Sequence, residues 1–289
     1  MSLAASQNEA SKEPQAPRVT ALIVSYNSVA ALRLCVQSIE VAPEIETLVV
    51  DLGSQDGSAN IDTEFPHVTV LRLPKHFGAT KAMNIASRTA AADYLLYLDP
   101  NVVLDKGTVM GLADVLEGDA SASAACPLLR GPACPQVYKL PDAGALADAC
   151  ETGSLPLVSV DTTKEYVSVE FASRAAVMVR KDFIRGMNFF DERYGHAWPD
   201  LELAWQIQNA QRKTVLATRL GATWNGPAAA TDSLSIADRY NGAAGYLGKH
   251  FGFLSGLTFR IGAIFRALFS FRFGLLGSLF SGQKIDGTQ

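Results

Sequence analysis

Residues 19–25, VTALIVS, form an almost unbroken apolar run with no polar alternation, which predicts a strand buried on both faces. Val29, Leu32, Val36 and Ile39 then recur at helical spacing, with Asn27 or Ser28 available to cap the helix. Residues 45–51, IETLVVD, predict a second buried strand, and GSQDGS (53–58) a turn-rich segment. A third strand is expected at 67–73, an alanine-rich helix at 78–91 with Met83 and Ile85 inward, and a fourth strand at 93–99. Strands alternating with helical segments in this way imply an α/β fold: a Rossmann-like, mostly parallel mixed sheet with flanking helices. Ligands in such sheets bind beyond the carboxyl ends of the strands. Ser25-Tyr26-Asn27, Asp51 and Asp99 fall at those ends.

The second half is less regular. A helix is expected over 104–117, a loop-rich stretch with five prolines and a hairpin over 126–160, and extended chain over 163–181. A helix over 200–211 and a last strand over 213–220 follow. No internal repeat of 20–50 residues is visible.

The length of 289 residues, 48% of them hydrophobic, is enough to bury a large core without disulfides or structural metal. The net charge of −4 argues against a dedicated nucleic-acid partner. The four cysteines are scattered with no CxxC pair, which reads as reduced thiols of a cytosolic protein. Residues 1–17 are polar and lack the apolar core of a signal peptide, so a disordered leader is expected there. No GxGxxG, GxSxG, HExxH or proper P-loop occurs. His67, His76, His196 and His250 form no metal-spaced pair and read as surface or hydrogen-bonding residues.

Three segments carry a family likeness: VTALIVSYNSVAALRLCVQSI, LVVDLGSQDGS and LPKHFGATKAMNIASRTAAADYLLYLDPNVVL. Together with ASRAAVMVRKDF, NFFDERYGHAWPDLELAWQIQ and VLATRLGATW, the chain resembles the inverting family 2 glycosyltransferases, by eye nearest the rhamnosyltransferase-like branch. The likeness covers roughly residues 18–250.

The resemblance implies a glycosyltransferase-A fold, here a catalytic domain over 18–235, while the apolar, arginine-bearing end of the chain reads as a helical, amphipathic C-terminal appendage over 236–289. It implies transfer of a sugar from a nucleotide-sugar donor to a hydroxyl of a glycan or lipid-linked acceptor. Ser25, Tyr26, Asn27 and Asp51 would bind the donor nucleotide, and Asp99 with Asn101 would stand at the family's Asp-x-Asp metal motif. Asp200, in Pro199-Asp200 where the family has Glu-Asp, would be the catalytic base, with Glu202 as the substitute carboxylate.

Several positions depart from the family. Asn101 brings no charge, so affinity for Mg²⁺ or Mn²⁺ should fall, leaving the cation weakened or dispensable. Arg174-Ala175 replaces a Gly-Ala step, Gln206 an Arg, Trp224 a His and Met83 an Arg, with Lys81 two residues earlier. Lys81 and Arg174 are therefore expected in the donor site, neutralising the leaving diphosphate partly in place of metal. The same departures support a rival reading: a catalytically silent homologue that binds nucleotide-sugar or a partner enzyme. Oligomeric state is not legible.

Residues 246–289 hold five Lys or Arg against one Asp, so the net charge divides into +4 there and −8 in the rest. Residues 246–282 are strongly apolar, yet no charge-free run reaches the ~20 residues a spanning helix needs. A cytoplasmic protein in peripheral contact with the inner face of the plasma membrane through 246–282 is one expectation. A helical appendage packed on the catalytic domain is the other. Gly256, Gly262 and Gly274 are expected to break the segment into shorter helices.

Overall fold

The computed structural model describes residues 16–132, 134, 137–156, 158–194, 196–282 and 285. All but the last two residues of the expected leader lie outside them. The first half runs β1 (Val19–Ser25), α1 (Val29–Ser38), β2 (Ile45–Asp51), β3 (Val68–Arg72), α2 (Ala79–Thr89), β4 (Tyr94–Leu98), β5 (Val102–Leu104) and α3 (Thr108–Gly118). The second half runs β6 (Ala122–Arg130), β7 (Val137–Tyr138), α4 (Ala143–Thr152), β8 (Tyr166–Val169), β9 (Phe171–Ala172), β10 (Ala176–Arg180), α5 (Lys181–Gly186), α6 (Pro199–Asn209) and β11 (Lys213–Trp224). Three helices end the described chain: α7 (Ser233–Phe251), α8 (Phe253–Phe269) and α9 (Phe273–Ser281).

Nine strands form one sheet in the order β3-β2-β1-β4-β10-β6-β11-β5, with β8 also paired to β11. The β1–β2, β1–β4, β2–β3 and β6–β11 pairs are parallel; β10 runs antiparallel to β4 and β6, and β11 to β5 and β8. β1 and β4, at the middle of its parallel half, are apolar and buried almost throughout because both faces are covered. Ala21, Ile23 and Val49 face α1 and α3, while Leu22, Leu48 and Val50 face α2, α5 and α6.

Ser25 pairs with Asp51, and Ile23 with Leu98, so the ends of β1, β2 and β4 lie side by side. Because β10 is antiparallel, Ala176 pairs with Leu98, and the chain entering β10 arrives at this same end of the sheet. The Asp99 N–H bonds to the Ala175 carbonyl at 2.9 Å.

The segment expected to be loop-rich contains β6 and α4. Pro127 is tolerated in β6 because its pairing with Ala217 borders a register shift in β11. The last strand extends four residues beyond expectation, to Trp224.

A third core joins α4, Tyr194, Trp198, α7, α8 and α9. The expected appendage boundary at 236 falls within α7. The glycine expectation needs correction. Gly256 and Gly262 lie inside α8, and Gly274 inside α9; the breaks fall at Gly252 and at 270–272. Gly252 has φ +97, a conformation suited to glycine. Gly256 instead permits close helix crossing: a Cβ there would stand 2.5 Å from the Ala244 carbonyl oxygen.

The arginines of this region turn toward the body. Arg266 pairs with Asp148 and Arg272 with Glu151, while Arg260 donates to the Leu279 carbonyl. Phe253, Leu254, Phe269, Phe271 and Phe273 are each more than two-thirds exposed. Among the described residues no helix is long and apolar enough to cross a membrane. Cys35, Cys126 and Cys150 are buried, free thiols.

Candidate functional site

A cavity of about 340 Å³ opens at the shared end of β1, β2 and β4. Tyr26, Asp99, Asn101 and Arg174, all expected from sequence, line it. Ser25, Asn27, Asp51, Lys81 and Asp200 do not reach its lining, although Leu52, beside Asp51, does.

The turn after β1 is held by its own polar groups. Ser25 Oγ contacts Ser28 Oγ at 2.9 Å, and Asn27 Oδ1 accepts from the Gln55 N–H at 2.8 Å. Asn27 takes φ +46, which asparagine tolerates better than most residues. These contacts leave Tyr26 nearly half exposed, its ring edge-on to His76 at 4.8 Å. Asp51 is buried; Oδ2 accepts from the N–H groups of Gly53 and Ser54, while Oδ1 has no partner among the described residues. An unpaired buried carboxylate oxygen favours a ligand that can donate to it.

Asp99 Oδ1 accepts from both the backbone N–H and the side-chain amide of Asn101, at 2.9 and 2.8 Å. The Asn101 nitrogen is thus committed to Asp99. Among the described residues no group of three His, Cys, Asp or Glu is placed to hold a metal ion. Asn225, next to Trp224, bonds to the Asn101 carbonyl, so the end of β11 lies beside this turn. The Trp224 indole offers only an N–H, which cannot ligate. One carboxylate and one uncharged amide oxygen, in a cavity also lined by a guanidinium, offer a divalent cation less charge than two carboxylates would.

Asp200 is the second residue of α6, after Pro199. Its Oδ2 accepts from the Arg174 N–H at 3.3 Å and Oδ1 from the Leu201 N–H at 3.1 Å. This bond ties it to the backbone of a cavity-lining residue. Burial pushes its carboxyl above the ordinary range, and the Arg174 charge and neighbouring N–H groups offset part of that rise. Lys81 is exposed, with Nζ 5.4 Å from the Phe77 ring centroid.

Glu202 is not a spare carboxylate for the cavity. It is 1% exposed and bonded to Tyr194 Oη, Gln206 Nε2, Lys249 Nζ and His250 Nε2. Burial opposes its charge, but these four partners outweigh burial and hold its carboxyl below the usual range.

Sequence reading missed His76 and His196, which both line the cavity. No motif marks them. His196 lies four residues before Asp200, and only the fold brings its ring to Arg174, Nη2 to Nε2 at 3.2 Å.

The sequence profile described as "Glycosyl transferase family 2" matches residues 20–185. No curated protein matches the chain in sequence. Among solved structures, the fold is similar to GalNAc-T7 with UDP, GalNAc and Mn²⁺, at TM-score 0.59 and 14% identity over 80% of this chain and 48% of that one. It is similar to the mannosyltransferase PcManGT from Pyrobaculum calidifontis in complex with GDP-Man and Mn²⁺, at TM-score 0.55 and 14% identity over 86% and 75% of the two chains. S. aureus TarS 1-349 in complex with UDP-GlcNAc aligns at TM-score 0.56 and 15% identity over 80% and 66%. The chain thus spans about half the length of the GalNAc-T7 chain.

Proposed function

Because the chain belongs to glycosyl transferase family 2, we propose that it is an inverting glycosyltransferase that moves a sugar from a nucleotide-sugar to a hydroxyl of a glycan or lipid-linked acceptor. The observation that carries this reading is the convergence of Tyr26, Asp99 and Arg174 on one cavity, with Asp200 bonded to the Arg174 backbone. The unpaired Asp51 Oδ1 supports its role as acceptor of a base N–H. The rhamnosyltransferase-like branch belongs to the same proposal.

The reaction is a single in-line displacement. The acceptor oxygen bonds to the anomeric carbon as the bond from that carbon to the phosphate oxygen breaks, Asp200 takes the hydroxyl proton, and the nucleoside diphosphate leaves. Arg174 in the cavity wall, with Lys81 on the first turn of α2 as a second cation, opposes the leaving charge. Two of the similar structures hold Mn²⁺. The donor set at Asp99 supports weaker dependence on such a cation here, so activity should persist in part with chelator present.

A thermal-shift series with UDP, GDP, dTDP and their sugar conjugates tests donor binding. At about 100 times its dissociation constant a true ligand adds about 2.7 kcal/mol, and Asp51→Ala should abolish the preference among bases. No shift with any of them would remove the proposal.

The exposed phenylalanines of α8 and α9 support peripheral contact with a membrane at its cytoplasmic face, where a lipid-linked acceptor would be met. Residues 246–282 contain no Asp or Glu, which suits anionic lipid. Wild type should float with phosphatidylglycerol-containing vesicles, and the Phe253→Ser, Phe269→Ser double variant should not. Equal flotation would end this part of the reading.

A further inference from the structure

The cavity at the ends of β1 and β4 has one lining residue from beyond the last helix, Ile285; all its other lining residues lie between Leu22 and His196. The turn that starts this return is written locally. α9 ends at Ser281, and Gly282, at φ +66, closes it in the left-handed conformation that lets a chain change direction. The Ile285 N–H then donates to Asp238 Oδ1 at 3.2 Å. Asp238 is buried on α7, and its Oδ2 accepts from the His196 N–H at 3.0 Å. One carboxylate thus ties the chain past α9 to the cavity wall at His196.

Two observations separate Ile285 from the permanent wall. It is half-buried and belongs to none of the three apolar cores, so it can leave without opening them. Its side chain brings no hydrogen-bonding group and no charge to a cavity that elsewhere presents Tyr26, Asp99, Asn101 and Arg174. A phosphate oxygen or a sugar hydroxyl gains no hydrogen bond from it, whereas the isoleucine loses apolar contact with water by staying. With Ile285 in place the cavity holds about 340 Å³, close to the ~300 Å³ lower limit of small-molecule pockets.

Resting on the reading of this cavity as a nucleotide-sugar site, we propose that Ile285 is an autoinhibitory stopper: held on Asp238, it competes with the nucleotide-sugar for the cavity and withdraws when the donor enters. The anchor belongs to α7 and stays behind, so withdrawal costs one backbone hydrogen bond and leaves the helices in place. If Ile285 fills the cavity in about nine chains of ten, the donor binds about tenfold more weakly than to an open cavity.

The test uses the full chain. Ile285→Gly removes the side chain, and Ile285→Pro removes the N–H that Asp238 holds. Titrated with UDP, GDP, dTDP and their sugar conjugates, both variants should bind the ligand that wild type prefers about three- to tenfold more tightly, at an unchanged ligand-free melting temperature. A second measurement follows the residue itself. In the Ile285→Cys chain the introduced thiol should react with a maleimide at least about threefold faster once that ligand is saturating, above the rate that wild type shows with its partly exposed Cys134.

Unchanged or weaker binding by both variants, a lowered melting temperature in both, or labelling that slows or stays constant when ligand is added overturns the proposal and leaves the nucleotide-sugar reading standing. If none of these ligands binds wild type or either variant, that reading falls and this inference with it.

Discussion

Asp200→Asn should leave the fold and donor affinity intact while slowing sugar transfer by about 10²–10⁴-fold, the usual worth of a positioned general base. The amide is nearly isosteric and its oxygen can still accept from the Arg174 N–H, so the wall of the cavity keeps its shape. What disappears is the proton acceptor. Burial raises the Asp200 carboxyl above its ordinary range, which moves it toward the pH at which it would work. Asn keeps one acceptor oxygen where Asp200 serves the N–H groups of both Arg174 and Leu201, so stability should fall by about 1–3 kcal/mol. The check is turnover with donor and acceptor, or donor hydrolysis alone, alongside nucleoside diphosphate titration. Equal turnover in variant and wild type would take the base role from Asp200. A wild type that binds donor yet neither transfers nor hydrolyses it would favour the silent-homologue reading.

Glu202→Ala, two residues away, should instead reduce stability by about 3–5 kcal/mol, the scale for removing one member of a buried charged network. The substitution strips Lys249, His250, Tyr194 and Gln206 of a shared acceptor at 2.6–2.9 Å. Lys249 and His250 belong to α7, so the network fastens the C-terminal helices to α6. The melting temperature should fall on the order of 10 °C. A loss under about 1 kcal/mol would mean the helices hold through apolar packing alone. The pH dependence has a definite sign. The folded carboxyl lies below its unfolded value of 4.5, so its contribution is present above pH 4.5 and is lost as pH falls through the folded value. Wild type and variant should therefore converge in acid.

The parallel half of the sheet was legible because both faces of β1, β2 and β4 are covered, which makes their sequences continuously apolar. The residues at their ends followed from topology alone. The sheet's central β6 was not read, because ASAACPLLR combines weak strand formers with a proline. α4 was missed although its ends are written in the chain. Asp142 accepts from the Ala145 N–H, and Gly153 closes the helix in the left-handed conformation. The surrounding prolines obscured both signals.

At the site, Asp51 and Asp99 stood out as polar groups at strand ends. His196 did not, since its meaning lies in a contact with a residue 22 positions earlier in sequence. Glu202 looked equivalent to Asp200 on the page. Helix rotation and the arrival of Lys249 and His250 from α7 separate their roles.

The reversed direction of β10 has a consequence for synthesis. Ribosomal emergence delivers β1 to β4, with Tyr26, Asp51 and Asp99, more than seventy residues before Arg174. A nascent chain can assemble the side of the cavity lined by Tyr26 and Asp99 early, but the Arg174 side arrives only when β10 inserts beside β4. On the proposed function, the capacity to hold an activated sugar would therefore appear late, with closure of the central sheet, and partly made polypeptides would not sequester the donor.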